Sequence, residues 1–477
     1  MKIKASKMDI IWSYIGTLFS LSSGFILLPF ILIFLNSNEV GLWYIFLSIN
    51  GLVNLFDFGF DPTFARNIAY AWSGATEISK TGAKFTKESK RVNYRLLKIL
   101  ITTSKNLYRI ISLLAFFFVA TVGTVYMVHI SKGLSGYNHI IAWVIFCISL
   151  FLNLYMGYFS ALLRGVGAVA IINRATIFSK LSQLIVSVVL LAMGFGLISV
   201  AVGFLANGFV LRYLCRYGFY NYRNMEEHLN SVKEPLMKTD IKKAMHIVSY
   251  NAFRDGLVAL SNYLTTQASS IMASLFFTLG QTGIYSISLQ FANAVSSVSA
   301  SMIYAYHPTL QSAYVNKDSE TERNIIARGL SVLYFLSILG TIAVIVFIFP
   351  ILHIIKPDTN FSIPIFLGLS LYTLLWQQQS SSASYISNTN QVPYMPAFVI
   401  SSILSIILTL LAIKFTDIGI WSLIIGPLVA QGIYNNWKWT HVVMSRLDTT
   451  LSRTIKSGFQ YWIQVLLNKL KNKRGDI

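Results

Sequence analysis

Apolar residues fill long stretches of this chain almost without interruption, and short polar segments separate them. Twelve stretches reach bilayer-crossing length: approximately 10 to 35, 41 to 66, 107 to 130, 138 to 163, 173 to 195, 198 to 220, 245 to 277, 282 to 306, 328 to 355, 361 to 386, 394 to 414 and 418 to 441. A crossing helix needs roughly 20 residues at about 1.5 Å each. These runs are far longer than a barrel strand and lack its alternation, so the pattern predicts an all-α integral membrane protein. The first stretch is too long for the apolar segment of a cleaved signal and is expected to stay in the membrane. After the last, Ile455, Phe459, Trp462, Ile463, Leu466 and Leu470 recur at helical spacing among lysines. That predicts an amphipathic helix on the membrane surface, and residues 91 to 106 have a similar character.

Charge then orients the ladder. Lys2, Lys4, Lys7, the cations from Lys80 to Lys105, the run from Arg212 to Lys243 and the basic tail fall on one side of it; Lys132, Lys356 and Lys414 fall on the other. The positive-inside rule makes the crowded side, with both termini, cytoplasmic. Of the 477 residues 55% are apolar and only 12% charged, outside the range of soluble proteins. The formal charge of +20 is spread over short loops rather than one soluble module. It fits anionic lipid headgroups as partners and argues against nucleic acid. Cys147 and Cys215 lie in or at the end of apolar stretches and read as small core residues.

A connector over 222–244 carries Glu226, Glu227, Pro235 and Asp240 among lysines at the midpoint of the chain. It divides a six-helix bundle over 1–221 from a second over 245–441, and a basic amphipathic tail over 442–477 follows. Two internal matches support the halves. Glu39-Val40-Gly41-Leu42-Trp43 matches Gln281-Thr282-Gly283-Ile284-Tyr285, and Gly196-Leu197-Ile198-Ser199 with Gly203 matches Gly419-Ile420-Trp421-Ser422 with Gly426. With an even number of spans each, the halves form a parallel pseudo-repeat about an axis along the membrane normal.

Ionisable groups at membrane depth face a cavity or a partner by default. Asn50, Asn54, Asp57 and Asp61 fall at i, i+4, i+7 and i+11 of the second stretch, which is one face of a helix. The stripe would line a lumen; alternatively Asp61, followed by Pro62, sits near the cytoplasmic surface or pairs with Arg66. Asn153, Gly157, Ser160 and Arg164 share a face of the fourth stretch, Gln290 and Asn293 of the eighth, and Asn251, Asp255 and Asn262 of the seventh beside Arg254. The tenth holds the run Gln377 to Ser382. Each of these could be interhelical hydrogen-bond glue, but together they favour a central hydrated cavity. An anionic cargo there needs cations, and Arg66, Arg164, Arg174, Lys180 and Arg254 are the candidates, with snorkelling as the alternative for each. Gln290 and Asn293 would complete the substrate contacts; Asn50, Asn54, Asp57, Asp61 and Asp255 form the cavity-lining or ion-coupling set. No nucleotide loop, zinc motif or paired-cysteine motif occurs. The chain is therefore expected to be no enzyme, to hold no metal or cofactor, and to draw on H+, Na+, its substrate's gradient or a partner.

Glu39-Val40-Gly41-Leu42-Trp43-Tyr44, followed by Leu55-Phe56-Asp57-Phe58-Gly59-Phe60 and by Leu162-Leu163-Arg164-Gly165, resembles bacterial polysaccharide transporters of the multidrug/oligosaccharidyl-lipid/polysaccharide (MOP) exporter superfamily. The resemblance implies two six-helix bundles in a V around a central cavity, working by alternating access in the bacterial inner (plasma) membrane. It implies a flippase that carries undecaprenyl-diphosphate-linked oligosaccharide, such as an O-antigen repeat for lipopolysaccharide, to the outer leaflet, with a glycan polymerase and a chain-length regulator as further partners. Flippases of the superfamily often carry Arg in the first and eighth spans. This chain has none at those depths, which moves the anion site to Arg66, Arg174, Lys180 and Arg254. The alternative is an ion-coupled multidrug exporter of the same superfamily, with Asp57 and Asp61 as coupling carboxylates. A membrane polysaccharide polymerase would need a sizeable outer loop, and these are only a few residues long.

Overall fold

The first two apolar runs are separated by a short polar turn, and Asn36 in it caps the helix that follows. The Asn36 side chain accepts from the Glu39 amide at 3.0 Å, and the Glu39 carboxylate accepts from the Asn36 amide at 3.1 Å. This capping box satisfies two donors that a helix start would otherwise leave open. In the computed structural model the described residues are 7–79, 82–84, 91–132, 136–306, 310, 313, 318–357, 360–387 and 393–475. Lys2, Lys4, Lys80, Lys87 and Lys90 lie outside them, as do the side chains of Asn251, Arg254, Asp255, Leu466 and Leu470. The chain divides into two compact units, residues 1–263 and 264–477.

In the first unit, α1 (Lys7–Phe34), α2 (Ser37–Asn54) and α3 (Phe60–Trp72) lead to a hairpin of β1 (Glu77–Ser79) and β2 (Gly82–Lys84). The strands are antiparallel, with Glu77 opposite Lys84. Then come α4 (Tyr94–Phe118), α5 (Thr124–Ile130), α6 (Asn138–Tyr155), α7 (Tyr158–Gly165), α8 (Val169–Ala192), α9 (Leu197–Asn221), α10 (Met225–Asn230) and α11 (Lys238–Thr266), whose last three residues belong to the second unit. α8 packs along α9 and α1, α6 on α9, and α3 against α7. Of residues 91–106, expected to be an amphipathic surface segment, 94–106 are the first turns of α4. The helix continues past the apolar stretch because Leu97 and Leu100 bury completely in a core with Phe64, Ile68, Leu162 and Phe219. The sequence pattern does not predict these strands, since three residues leave no periodicity to read.

In the second unit, α12 (Ala268–Phe276) and α13 (Leu279–Ala305) precede α14 (Ser319–Ala343), α15 (Phe349–Ile355), α16 (Ile363–Ser387), α17 (Met395–Phe415), α18 (Ser422–Gly432), α19 (Asn435–Arg446) and α20 (Leu451–Gly475). α13 packs on α14 and α16, and α17 on α18. The tail helix α20 forms as expected, and it also lies along α14. Trp462 Nε1 donates to the Arg328 carbonyl at 3.4 Å, and the Arg328 guanidinium sits 3.6 Å from the centre of the Tyr461 ring.

Matched positions of the two units use the same local devices. The Thr278 amide donates to Gln281 Oε1 at 3.2 Å and the Gln281 amide to Thr278 Oγ1 at 3.3 Å, a second capping box where Asn36 and Glu39 have theirs. Gly196 (φ 55°) and Gly419 (φ 59°) both take left-handed backbone ahead of their helices, a conformation glycine adopts without strain. A π turn interrupts the third run at Val119–Gly123 and the ninth at Val344–Ile348.

Helices overlie each of the twelve apolar stretches, and seven helical runs among the described residues are long and apolar enough to cross a membrane. Their outer faces carry exposed Phe117, Val125, Phe347 and Ile400, a surface that only lipid tolerates at this scale. The protein is a multi-pass membrane protein.

Candidate functional site

The second apolar run is not one helix. α2 ends at Asn54, a tight turn covers Leu55–Asp57, and Phe58 (φ 45°) and Gly59 (φ 75°) take left-handed backbone before α3 begins. Non-helical backbone at membrane depth persists only where protein or a wet cavity satisfies it. Here Asp57 supplies part of that, since its Oδ2 accepts the Asp61 amide at 3.1 Å and so caps α3. The continuous polar stripe expected from sequence spacing is therefore broken between Asn54 and Asp61. Spacing assumes helical backbone throughout, and the left-handed pair at Phe58 and Gly59 removes it.

The break opens onto a cavity of about 360 Å³ inside the first unit. Asn54, Asp57 and Asp61 line it from the broken run, with Asn153 of α6, Gly157 in the turn after it, and Ser160 and Arg164 of α7. Tyr108 of α4, Thr176 of α8 and Arg212 of α9 close it. The Tyr108 hydroxyl donates to Asp57 Oδ1, and the Arg164 guanidinium pairs with Asp61 Oδ2. Arg212 Nη1 donates to Ser160 Oγ at 3.0 Å. Asp61 Oδ1 and Arg212 Nε are buried with no hydrogen-bond partner among the described residues. Such atoms in a polar pocket call for water or a bound solute.

The sequence candidates separate accordingly. Asn54, Asp57, Asp61 and Arg164 come together, whereas Asn50 is half-buried outside the lining. Arg66 is exposed and reaches Thr63 Oγ1 at 3.4 Å; Lys180 reaches Gln183 Oε1 at 3.4 Å. Arg174 lines a different, surface pocket. In the second unit Gln290 Oε1 is buried without a partner among the described residues, and Asn293 is half-buried. Sequence spacing singles out neither Tyr108 nor Arg212. By charge Arg212 reads as part of the basic loop, although it stands well inside the apolar run of α9, and that depth is the signal that marks it.

The second unit treats its polar residues differently. Gln378 Nε2 donates to Thr440 Oγ1 at 3.0 Å, Gln379 Nε2 to Gln431 Oε1 at 3.1 Å, and Asn435 Nδ2 to Ser401 Oγ at 2.6 Å. Of the two readings the sequence leaves open for the Gln377 to Ser382 run, lumen face or interhelical glue, these bonds are glue, tying α16 to α18 and α19. The register fixed by Gly41 and Gly283 puts Ser299 and Ile303 where the first unit has Asp57 and Asp61. α13 is unbroken there. Among the described residues no group of three or more His, Cys, Asp or Glu is placed to hold a metal.

No protein-family model matches the chain, and no curated protein does. Solved structures do match. An inward-facing multidrug resistance MATE family transporter of the MOP superfamily superposes with a TM-score of 0.64 at 13% identity, over 91% of this chain and 96% of that one. The outward-facing form of such a transporter gives 0.56 at 13% identity, over 93% and 96%. A MATE structure in complex with MaL6 also gives 0.56, at 13% identity over 93% and 97%. The protein thus has the fold of the MOP-superfamily transporters.

Proposed function

We propose that the protein is an ion-coupled exporter working by alternating access, with twelve spans and its basic loops in the cytoplasm. The observation that carries this reading is the cavity of the first unit in which Asp57, Asp61, Arg164 and Arg212 meet. A transporter that couples cargo to an ion needs a titratable group it can load and unload at low cost. Asp57 meets that need: its hydrogen-bond partners are the neutral Tyr108 hydroxyl and Asp61 amide, while Arg164 pairs with Asp61. Protonating Asp57 therefore breaks no direct ion pair. A carboxylate held by neutral donors can take up a proton without displacing a bound cation, and H+ is the coupling ion this reading adopts.

For cargo, the structural neighbours support an organic solute of the multidrug type. A second reading, a lipid-linked oligosaccharide diphosphate, is favoured by Arg164 and Arg212 in the cavity, since paired guanidiniums suit phosphate. A headgroup of that kind cannot cross about 30 Å of hydrocarbon unaided.

Proteoliposomes with an imposed pH gradient test the coupling. Wild-type protein is expected to move cargo against its gradient only when the pH gradient is present, and Asp57→Asn to lose that dependence while keeping its melting behaviour. Gradient-driven uptake by Asp57→Asn equal to wild type would remove the assignment. A cationic dye and a lipid-linked glycan offered in parallel separate the two cargoes.

A further inference from the structure

On α9, Phe209, Tyr213 and Tyr217 follow one another every four residues, with ring centroids 6.4 and 6.5 Å apart and planes within 10° and 12° of parallel. All three are exposed, at 63%, 58% and 62%. The ladder ends at a surface pocket of about 380 Å³ between α8 and α9, lined by Arg174, Phe178, Tyr217, Asn221 and Arg223 among others. Arg174 and Arg223 are both exposed. Arg223 is held there by an unusual backbone, since it and Asn224 take left-handed φ of 52° and 54° just after α9. Its guanidinium carbon lies 5.8 Å from the centre of the Trp72 ring and 5.5 Å from that of Tyr222.

We propose that this pocket binds an anionic phospholipid, its phosphate between Arg174 and Arg223 and an acyl chain along the Phe209, Tyr213 and Tyr217 ladder. The two halves of the pocket point to the same ligand. Arginine presents a planar fork of donors suited to phosphate oxygens. A column of one phenyl ring and two amphipathic phenols, with the phenols toward the pocket, suits an acyl chain entering at the headgroup boundary. A soluble anion would use the arginines and leave the ladder idle. A zwitterionic lipid would fit the ladder but bring its own ammonium against the arginines. The basic loops that place this end of α9 on the side of anionic headgroups strengthen the attraction. The site is distinct from the Asp57 cavity, and the proposal is independent of the exporter's cargo.

The test is native mass spectrometry of the purified full-length protein, equilibrated with equal amounts of phosphatidylglycerol and phosphatidylcholine. Wild-type protein is expected to retain phosphatidylglycerol preferentially. The Arg174→Gln, Arg223→Gln double variant is expected to lose that preference at least about fivefold. An Arg109→Gln, Arg216→Gln pair removes the same charge from residues outside the pocket and is expected to keep it. Asn221→Asp, which adds a carboxylate to the lining, provides a second variant with little change in size and is expected to weaken retention likewise. Equal retention of the two lipids by wild type, undiminished phosphatidylglycerol on both pocket variants, or equal loss in the Arg109, Arg216 pair would overturn the proposal. So would displacement of the lipid by inorganic phosphate at matched concentration.

Discussion

Neutralising Asp61 and Arg164 separately and together measures how far the cavity's charges depend on one another. The pair joins α3 to α7 across 103 residues of sequence, and its side chains are 29% and 46% exposed. A fully exposed pair is worth about 0.2–1 kcal/mol, and stripping one partner from a buried pair costs about 3–5 kcal/mol. With both side chains between these limits, and Asp61 the more buried, the coupling is expected at roughly 1–2 kcal/mol, a factor of about 5–30 in the folded ratio. Asp61→Asn and Arg164→Gln are each expected to destabilise by about that amount, and the double variant by little more than either alone. Equilibrium unfolding in mixed lipid and SDS micelles, followed by tryptophan fluorescence, gives the three differences. Additivity of the single effects within about 0.3–0.5 kcal/mol would show that the two charges do not interact, and the cavity would lose its internal ion pair.

A Cβ built at Gly165 would lie 2.5 Å from Ile68 Cβ and 2.7 Å from the Ala65 carbonyl oxygen, so Gly165→Val must force α7 away from α3. A cost of about 1–3 kcal/mol or more is expected, read as loss of the monodisperse peak in size-exclusion chromatography; a wild-type profile would refute it. Asn435→Leu removes the donor to Ser401 and Gln431 and the acceptor of Trp439 Nε1. It is expected to destabilise by about 1–3 kcal/mol, and a loss below about 0.5 kcal/mol in the same unfolding assay would mean the network is slack. Hydrogen bonding to Lys243, with the charges of Lys243 and Lys84, holds the Glu77 carboxyl below the usual carboxylate range. Because the folded value lies below the unfolded one, the tie is complete above the ordinary range and is lost as pH falls through the lowered value. Amide exchange of β1 and β2, corrected for intrinsic rates, is expected to rise over that interval in wild type and to be high already at neutral pH in Glu77→Gln; pH-independent protection would contradict this.

Much of the molecule was legible in the order of its residues. The apolar runs required helices because hydrocarbon offers backbone groups no other partner. The matched Glu39 and Gln281, and Gly196 and Gly419, turned out to perform the same local tasks, since capping and left-handed backbone are settled by a residue and its near neighbours. Asn153, Gly157, Ser160 and Arg164 share a helix face by their spacing and line one cavity in the fold, even though a turn at Met156 and Gly157 separates α6 from α7.

What the tertiary structure alone decided is which polar residues line a cavity and which hold helices together. Composition cannot distinguish the Gln377 to Ser382 run from a lumen face; only the positions of Thr440 and Gln431 across the packing reveal hydrogen-bonded contacts. Likewise Tyr108 and Arg212 join Asp57 and Asp61 from helices remote in sequence, and the left-handed turn at Phe58 and Gly59 determines where both carboxylates sit. Burial and backbone bonding along one segment are local and leave a periodic trace. Convergence of side chains from several segments depends on how the helices pack, and no single segment's pattern records it.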